Sequence, residues 1–362
     1  MCTVQRWLRR AEGQRLDRVD WTNRSHAPRH PRRTEPALEA QVLRLRRWLK
    51  ERSALGECGA AAILREMRRR GVRPCPCERT IGRILRRAGV LDGRRRVRRP
   101  PPPRGWYLSA VAKGRAELDQ FDTIEGLAIR GGPHLTVFTG NSLHGGLCGV
   151  WVKQAFTART AVDCLVQHWR TFGLPRYAQF DNDNRFTGPR QHRDSVGRVI
   201  RLCLSLGVTP VFAVPNETGF QAAIEGFNGL WQKKVWMRFE HRSLRTLTQR
   251  SARYVAALRQ RRQARIEAAP ARRRFPRRWR LNLQKPLSGT IIFLRRTDGD
   301  GRVTLLGRSF LVDRQWLHRL VRAEVDVSAQ RIRFYALRRR EPTDQPLLRE
   351  VPYSLPNRRF RE

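Results

Sequence analysis

The chain has 362 residues, 40% of them apolar, which is too long for one ordinary core and predicts two to four domains. Its 75 Lys and Arg against 31 Asp and Glu leave a formal net charge of +44 at pH 7, a balance that points to a phosphate backbone as partner. Seven scattered cysteines argue against a disulfide framework, no charged-then-apolar leader opens the chain, and no apolar run approaches the roughly 18 residues of a membrane span, so a soluble protein of a reducing interior is expected.

The charge is unevenly placed. Residues 1–104 hold 29 basic and 10 acidic side chains, residues 105–240 hold 15 and 11, and residues 241–362 hold 31 and 10. A near-neutral middle between two basic flanks fits a catalytic module carried between nucleic-acid-binding modules.

Thr3–Arg10 reads as a basic helix of the kind that ends a helix-turn-helix, without the two helices that should precede it. The chain is therefore expected to begin inside a domain, with residues 1–34 a partial helix-turn-helix and linker. Residues 35–92 predict a complete one. Leu38, Val42, Leu45 and Leu49 recur at helical intervals, a second helix over 59–70 turns Ile63, Leu64 and Met67 inward, and Gly71 stops it. A third helix over 79–89 carries Ile81, Ile84 and Leu85 on one face, leaving Arg79, Arg83, Arg86 and Arg87 as candidate DNA contacts. Two helices, a tight turn and a basic helix follow the order of a major-groove reader; a plain three-helix bundle with solvated arginines fits the same pattern.

Residues 93–110 predict a basic linker, since four consecutive prolines hold the backbone extended and the arginines around them repel one another. From 111 to 245 the hydrophobic period changes. Strands are expected over 116–123, 134–140 and 147–153, a helix over 159–172, a strand over 177–180, a helix near 196–206, a strand near 208–213 and a helix from about 223 to 239. That order is the order of a ribonuclease-H-like α/β core, a mixed sheet flanked by helices. Residues 246–285 form a basic helical or linker segment in which Phe275 and Trp279, interleaved with arginines, either stack on bases or anchor the segment. Residues 286–362 predict short strands in a small β-barrel-like C-terminal domain.

Three acidic residues stand out in the near-neutral middle. Asp122 lies on the first strand, Asp181 follows the fourth, and Glu225 opens the last helix; in a ribonuclease-H-like sheet these positions converge. Phosphoryl transfer on DNA needs two divalent ions held by carboxylate oxygen, with no requirement for His or Cys. Asp119 competes with Asp122, and alternation places the two on opposite faces without choosing between them. Lys233 and Lys234, about two turns past Glu225, are candidate contacts to a DNA end or a solvated face. His26 and His30 with Cys75 and Cys77 make a poor zinc set, because one residue separates the cysteines where two to four are usual.

The blocks Glu117-x-x-Gln120-x-Asp122, Phe180-Asp181-Asn182 with Phe186, and Glu225-x-x-Asn228 resemble those of insertion-sequence transposases in the retroviral-integrase superfamily, of integrase catalytic core type, which use a DDE triad. The helical head, basic linker and C-terminal strands resemble the same layout, so the likeness spans nearly the whole chain. It selects Asp122 over Asp119. It implies donor-strand cleavage at element ends followed by attack of the freed 3′ hydroxyl on target DNA, with two Mg²⁺ or Mn²⁺ ions held by Asp122, Asp181 and Glu225. Double-stranded DNA (terminal inverted repeats and target), a homodimer or larger assembly, and a bacterial, cytoplasmic, nucleoid-associated location without a membrane are implied with it. A decayed or repurposed DNA-binding protein, and a structure-selective nuclease on the same fold, are the competing expectations. Two features depart from the family pattern: 43 residues separate Asp181 from Glu225, with 188–194 as the surplus loop, and Asp183 stands where glycine is common.

Overall fold

The computed structural model describes residues 3–22, 34–91, 104–189, 192–217, 219–339, 341–356 and 360. The proline-rich run over 93–103 and the His26 and His30 pair lie outside the described residues. Contacts divide the chain into two units, Met1–Arg52 with Cys58–Asp92, and Ser53–Glu57 with Gly93–Glu362.

The first unit is helical. α1 (Thr3–Ala11) and a 3-10 turn over Leu16–Arg18 precede α2 (Pro36–Arg52), α3 (Ala60–Arg69) and α4 (Glu78–Arg87). Val42, Leu45 and Leu49 of α2 pack on Ile63 and Met67 of α3 and on Ile81, Ile84 and Leu85 of α4, as their helical spacing requires. Gly71, at φ +68°, ends α3; the Gly71 and Val72 amides close back onto the Arg68 and Met67 carbonyls. The connection from α3 to α4, residues 70–77, is eight residues long, not the tight turn expected, because Pro74 and Pro76 keep it out of helix until Cys77.

The second unit is built on one mixed sheet. Its elements are α5 (Ser109–Ala112), β1 (Leu118–Ala128), β2 (His134–Ser142), β3 (Cys148–Lys153), α6 (Ala158–Phe172), β4 (Tyr177–Phe180), α7 (Asn184–Thr187), α8 (Arg198–Ser205) and β5 (Thr209–Phe212). α9 (Ala222–Trp231) runs into one π-helical turn over Gln232–Trp236, and α10 (Leu244–Arg261) and α11 (Gln263–Glu267) follow. Strands β6 (Thr290–Arg296), β7 (Arg302–Leu305), β8 (Arg308–Leu311), β9 (Leu320–Asp326), β10 (Arg331–Ala336) and β11 (Leu347–Pro352) complete the chain.

The strand order is β11-β10-β9-β6-β5-β4-β1-β2-β3. β1, β2 and β3 pair antiparallel, β4 and β5 join parallel to β1, and β6 joins parallel to β5. Phe121, Phe138, Phe180, Phe212 and Phe293 stack across one face beneath α6 and α8, while α9 and α10 cover β1 to β3 on the other. The C-terminal region is all-β, as expected, but does not close into a barrel of its own. β6 finds a free edge on β5, and β9, β10 and β11 continue the core sheet from it, while β7 and β8 pair with each other in a separate two-stranded sheet. No described helix is long and apolar enough to cross a membrane.

Candidate active site

Parallel pairing of β1 with β4 sets Leu118 beside Tyr177 and Gln120 beside Gln179. The same register carried two residues on places Asp122 beside Asp181, on neighbouring strands roughly 4.8 Å apart. The rings of Phe121 and Phe180, on the opposite face, stack with centroids 5.5 Å apart and confirm that register. Asp122, within β1, and Asp181, one residue past the end of β4, therefore share one face of the sheet.

α9 brings the third carboxylate. Asn228, buried on this helix, donates from Nδ2 to Asp122 Oδ2 at 2.8 Å and accepts from Thr139 Oγ1 at 2.7 Å. Glu225 lies three residues earlier on the same helix, near enough for its charge to act on Asp122, with its side chain exposed. The start of α9 is held by a square of polar contacts: Gln120 Nε2 donates to Gln179 Oε1 at 2.7 Å and to the Phe220 carbonyl at 3.1 Å, and the single proton of the Tyr107 hydroxyl is shared between the same two oxygens, at 2.7 and 3.0 Å. Gln120 Oε1 accepts the Ile224 amide at 3.2 Å and so satisfies a first-turn donor of α9 from the neighbouring strand. All three side chains are buried.

The electrostatics of the site oppose its own charge. Burial, then the like charges of Asp181 and Glu225, push the Asp122 carboxyl up to about 6, although its Oδ1 accepts the Thr123 amide at 2.8 Å. Burial and the neighbouring Asp183 likewise raise Asp181, whose Oδ1 accepts the Asp183 amide at 3.0 Å. Carboxylates kept close against desolvation and repulsion are the surroundings that a hard divalent cation relieves. The donor set is all oxygen and fits Mg²⁺ or Mn²⁺ in type and charge. Among the described residues no three His, Cys, Asp or Glu side chains are already gathered at ligand distance, and Glu225 is exposed, so its side chain would rotate inward to join Asp122 and Asp181.

Asp119 faces the other way. It is 1% exposed, takes a bidentate pair from Arg272 at 2.9 and 2.5 Å and accepts Trp169 Nε1 at 3.2 Å. Asp183 caps α7, accepting the Arg185 amide at 2.7 Å, and pairs with the Arg185 guanidinium, which also reaches Glu125 at 2.6 Å. Glu117 accepts the amides of Leu118, His144 and Gly145 and shapes the loop after β2. The surplus loop ends on Asp194, whose buried carboxylate binds Arg308 at 2.8 and 2.6 Å and the Tyr353 hydroxyl at 2.8 Å, fastening it to the C-terminal strands; residues 190 and 191 lie outside the described residues.

Of the basic candidates, Lys233 is exposed and Lys234 donates to the Gly56 carbonyl at 3.0 Å. Arg79, Arg83, Arg86 and Arg87 are exposed on α4, Arg87 pairing with Glu39. The sequence motifs contain Gln120 and Asn228 with no task assigned to either, and Gln179 and Tyr107 lie outside them. The two-residue spacing that puts Gln120 before Asp122 and Gln179 before Asp181 was the available signal.

No protein-family model and no curated protein matches the sequence. Solved structures that the chain is similar to include the integrase catalytic core domain of HTLV-2 in complex with magnesium, at 14% identity and TM-score 0.32, covering 40% of this chain and 86% of that one. The simian T-cell lymphotropic virus intasome in complex with PP2A regulatory subunit B56 gamma matches at 14% identity and TM-score 0.36, covering 82% and 94%. The catalytic core domain of BIV integrase matches at 17% identity and TM-score 0.31, covering 39% and 82%.

Proposed function

We propose that the chain is a DNA transposase of the DDE type. The observation that carries this reading is the proximity of Asp122, within β1, to Asp181, just past the end of the parallel neighbour β4, with α9, which bears Glu225 in its first turn, tied to Asp122 through Asn228. Two divalent ions roughly 4 Å apart would supply charge stabilisation at the attacking and leaving oxygens. The protein's part is positioning. Asp122 presents its oxygens from within β1 and Asp181 from just past β4, Glu225 would swing inward from the first turn of α9, and the Tyr107, Gln120 and Gln179 network keeps that helix in register with both strands.

In the first step water forms the new bond to phosphorus and the bridging 3′ oxygen departs as a hydroxyl. In the second, that hydroxyl attacks a target phosphate and the target's own 3′ oxygen departs. The partners are terminal inverted repeats and target DNA, gripped by the helical head through Arg79, Arg83, Arg86 and Arg87, with Lys233 and Lys234 along the DNA end. A dimer or larger assembly brings two ends together.

Purified protein, incubated with Mg²⁺ and duplexes bearing the inverted repeats that flank its reading frame, is expected to nick them and join them to target. Retardation without nicking in Mg²⁺ and in Mn²⁺ would instead support a DNA-binding protein that has lost catalysis, the reading favoured by the exposed Glu225. Tyr107→Phe removes the hydroxyl shared between Gln179 Oε1 and the Phe220 carbonyl while keeping the ring. It is expected to lower turnover roughly ten-fold, within the hundred-fold that a 1 Å misplacement can cost, with DNA affinity unchanged. Equal losses of turnover and affinity would make Tyr107 a general stability residue.

A further inference from the structure

We infer that the segment over 272–283 is a second duplex-binding track, on the edge of the sheet opposite the catalytic carboxylates. It rests on the reading of the chain as a DNA enzyme and adds a contact that the catalytic site cannot make. The segment is fastened at the amino ends of the parallel strands. Leu174, just before β4, exchanges backbone hydrogen bonds with Arg273 at 2.7 and 3.0 Å. The Arg273 guanidinium caps the carbonyls of Leu206 and Gly207, just before β5, and Arg272 is locked on Asp119 near the start of β1.

Farther along, Phe275 and Trp279 pack edge to face, 5.4 Å apart, against the core beneath α6, and Arg201 of α8 holds the Leu283 carbonyl at 2.8 Å. The two rings therefore anchor the strap and are not presented for stacking on bases. What the strap presents outward is charge. Arg274, Arg277, Arg278 and Arg280 are exposed and make no hydrogen bond, ion pair or ring contact among the described residues. Asp163 is the one acidic side chain lining the groove between the strap and α6, which Arg170 and Arg280 also line.

Four unpaired guanidiniums on a rigid support in a cationic molecule are complementary to a phosphate backbone. From Leu174 to Asp181 the chain advances on the order of 20 Å at about 3.3 Å per residue. A duplex held at the carboxylates thus meets the strap about six base pairs away, or a second duplex does. The rings are half-buried against the core and the exposed groups are guanidiniums, so the contact is expected to be independent of sequence.

The test is Arg274→Gln/Arg277→Gln/Arg278→Gln/Arg280→Gln in the full chain, which leaves Arg272 and Arg273 in place. With a duplex of about 30 base pairs of arbitrary sequence and no divalent metal, the slope of log affinity against log salt is expected to shrink by about 3 to 4, near 0.9 per lost contact. The melting temperature is expected to stay at the parent's value. An unchanged slope overturns the inference, and an unchanged slope with a smaller assembly in light scattering overturns it by assigning the strap to a second copy. Failure of the parent to cleave DNA would sink the transposase reading without touching this measurement.

Discussion

Asp181→Asn is expected to reduce DNA cleavage by about 10³-fold or more, on the order of 4 kcal/mol of transition-state stabilisation, while leaving DNA retardation unchanged. The substitution is close to isosteric, and the retained Oδ1 still accepts the Asp183 amide. Burial raises the Asp181 carboxyl above its ordinary range, and the like charge of Asp183 adds to that, so neutralising it removes desolvation and repulsion. The variant should melt no lower than the parent, which separates lost chemistry from lost fold. Asp122→Asn is the poorer probe, because its new amide would confront the Asn228 amide that now donates to Oδ2. Cleavage by Asp181→Asn at the parental rate would remove Asp181 from the mechanism.

Arg272→Met is expected to destabilise the second unit by about 3–5 kcal/mol, because it strands Asp119 as a buried, unpaired charge. The double variant Asp119→Leu/Arg272→Met is expected to recover most of that loss, since an apolar pair leaves nothing to desolvate. Denaturant midpoints for the parent and both variants decide the matter, and a single variant as stable as the parent would show that water reaches Asp119. The pair also sets a pH dependence. Burial alone would raise the Asp119 carboxyl, but the Arg272 guanidinium holds it below the ordinary 3.8. Its contribution is complete above that value and is lost as pH falls through the lower folded value, so the parent should lose stability below about pH 4 more steeply than the double variant.

The choice between Asp119 and Asp122 illustrates what local reasoning can reach. Alternation separates the two onto opposite faces, and the motif resemblance picks Asp122. The physical ground for leaving Asp119 out of the site is Arg272, a partner 153 residues away in the chain, among many arginines of similar local appearance. Phe275 and Trp279 were equally ambiguous, since stacking on bases and anchoring demand the same residue types, and packing beneath α6 separates them. β8 and β11 are short and largely exposed, so neither alternation nor an apolar run marks them in the sequence.

The choice of Asp122 over Asp119 came from the motif resemblance, while length, charge segregation and hydrophobic period were enough by themselves to place a run of helices ahead of the order of strands and helices in the middle. These depend on neighbours a few residues apart, where backbone geometry alone sets which side chains share a face. Only the tertiary structure decided that β1 and β4 pair in the register that aligns Asp122 with Asp181, that Asn228 and the Tyr107, Gln120 and Gln179 square seat α9 above them, and that the C-terminal strands extend the core sheet. Each depends on which edge or buried polar atom finds which partner across tens to hundreds of residues, a choice made by global packing and hydrogen-bond satisfaction and not encoded in any local window.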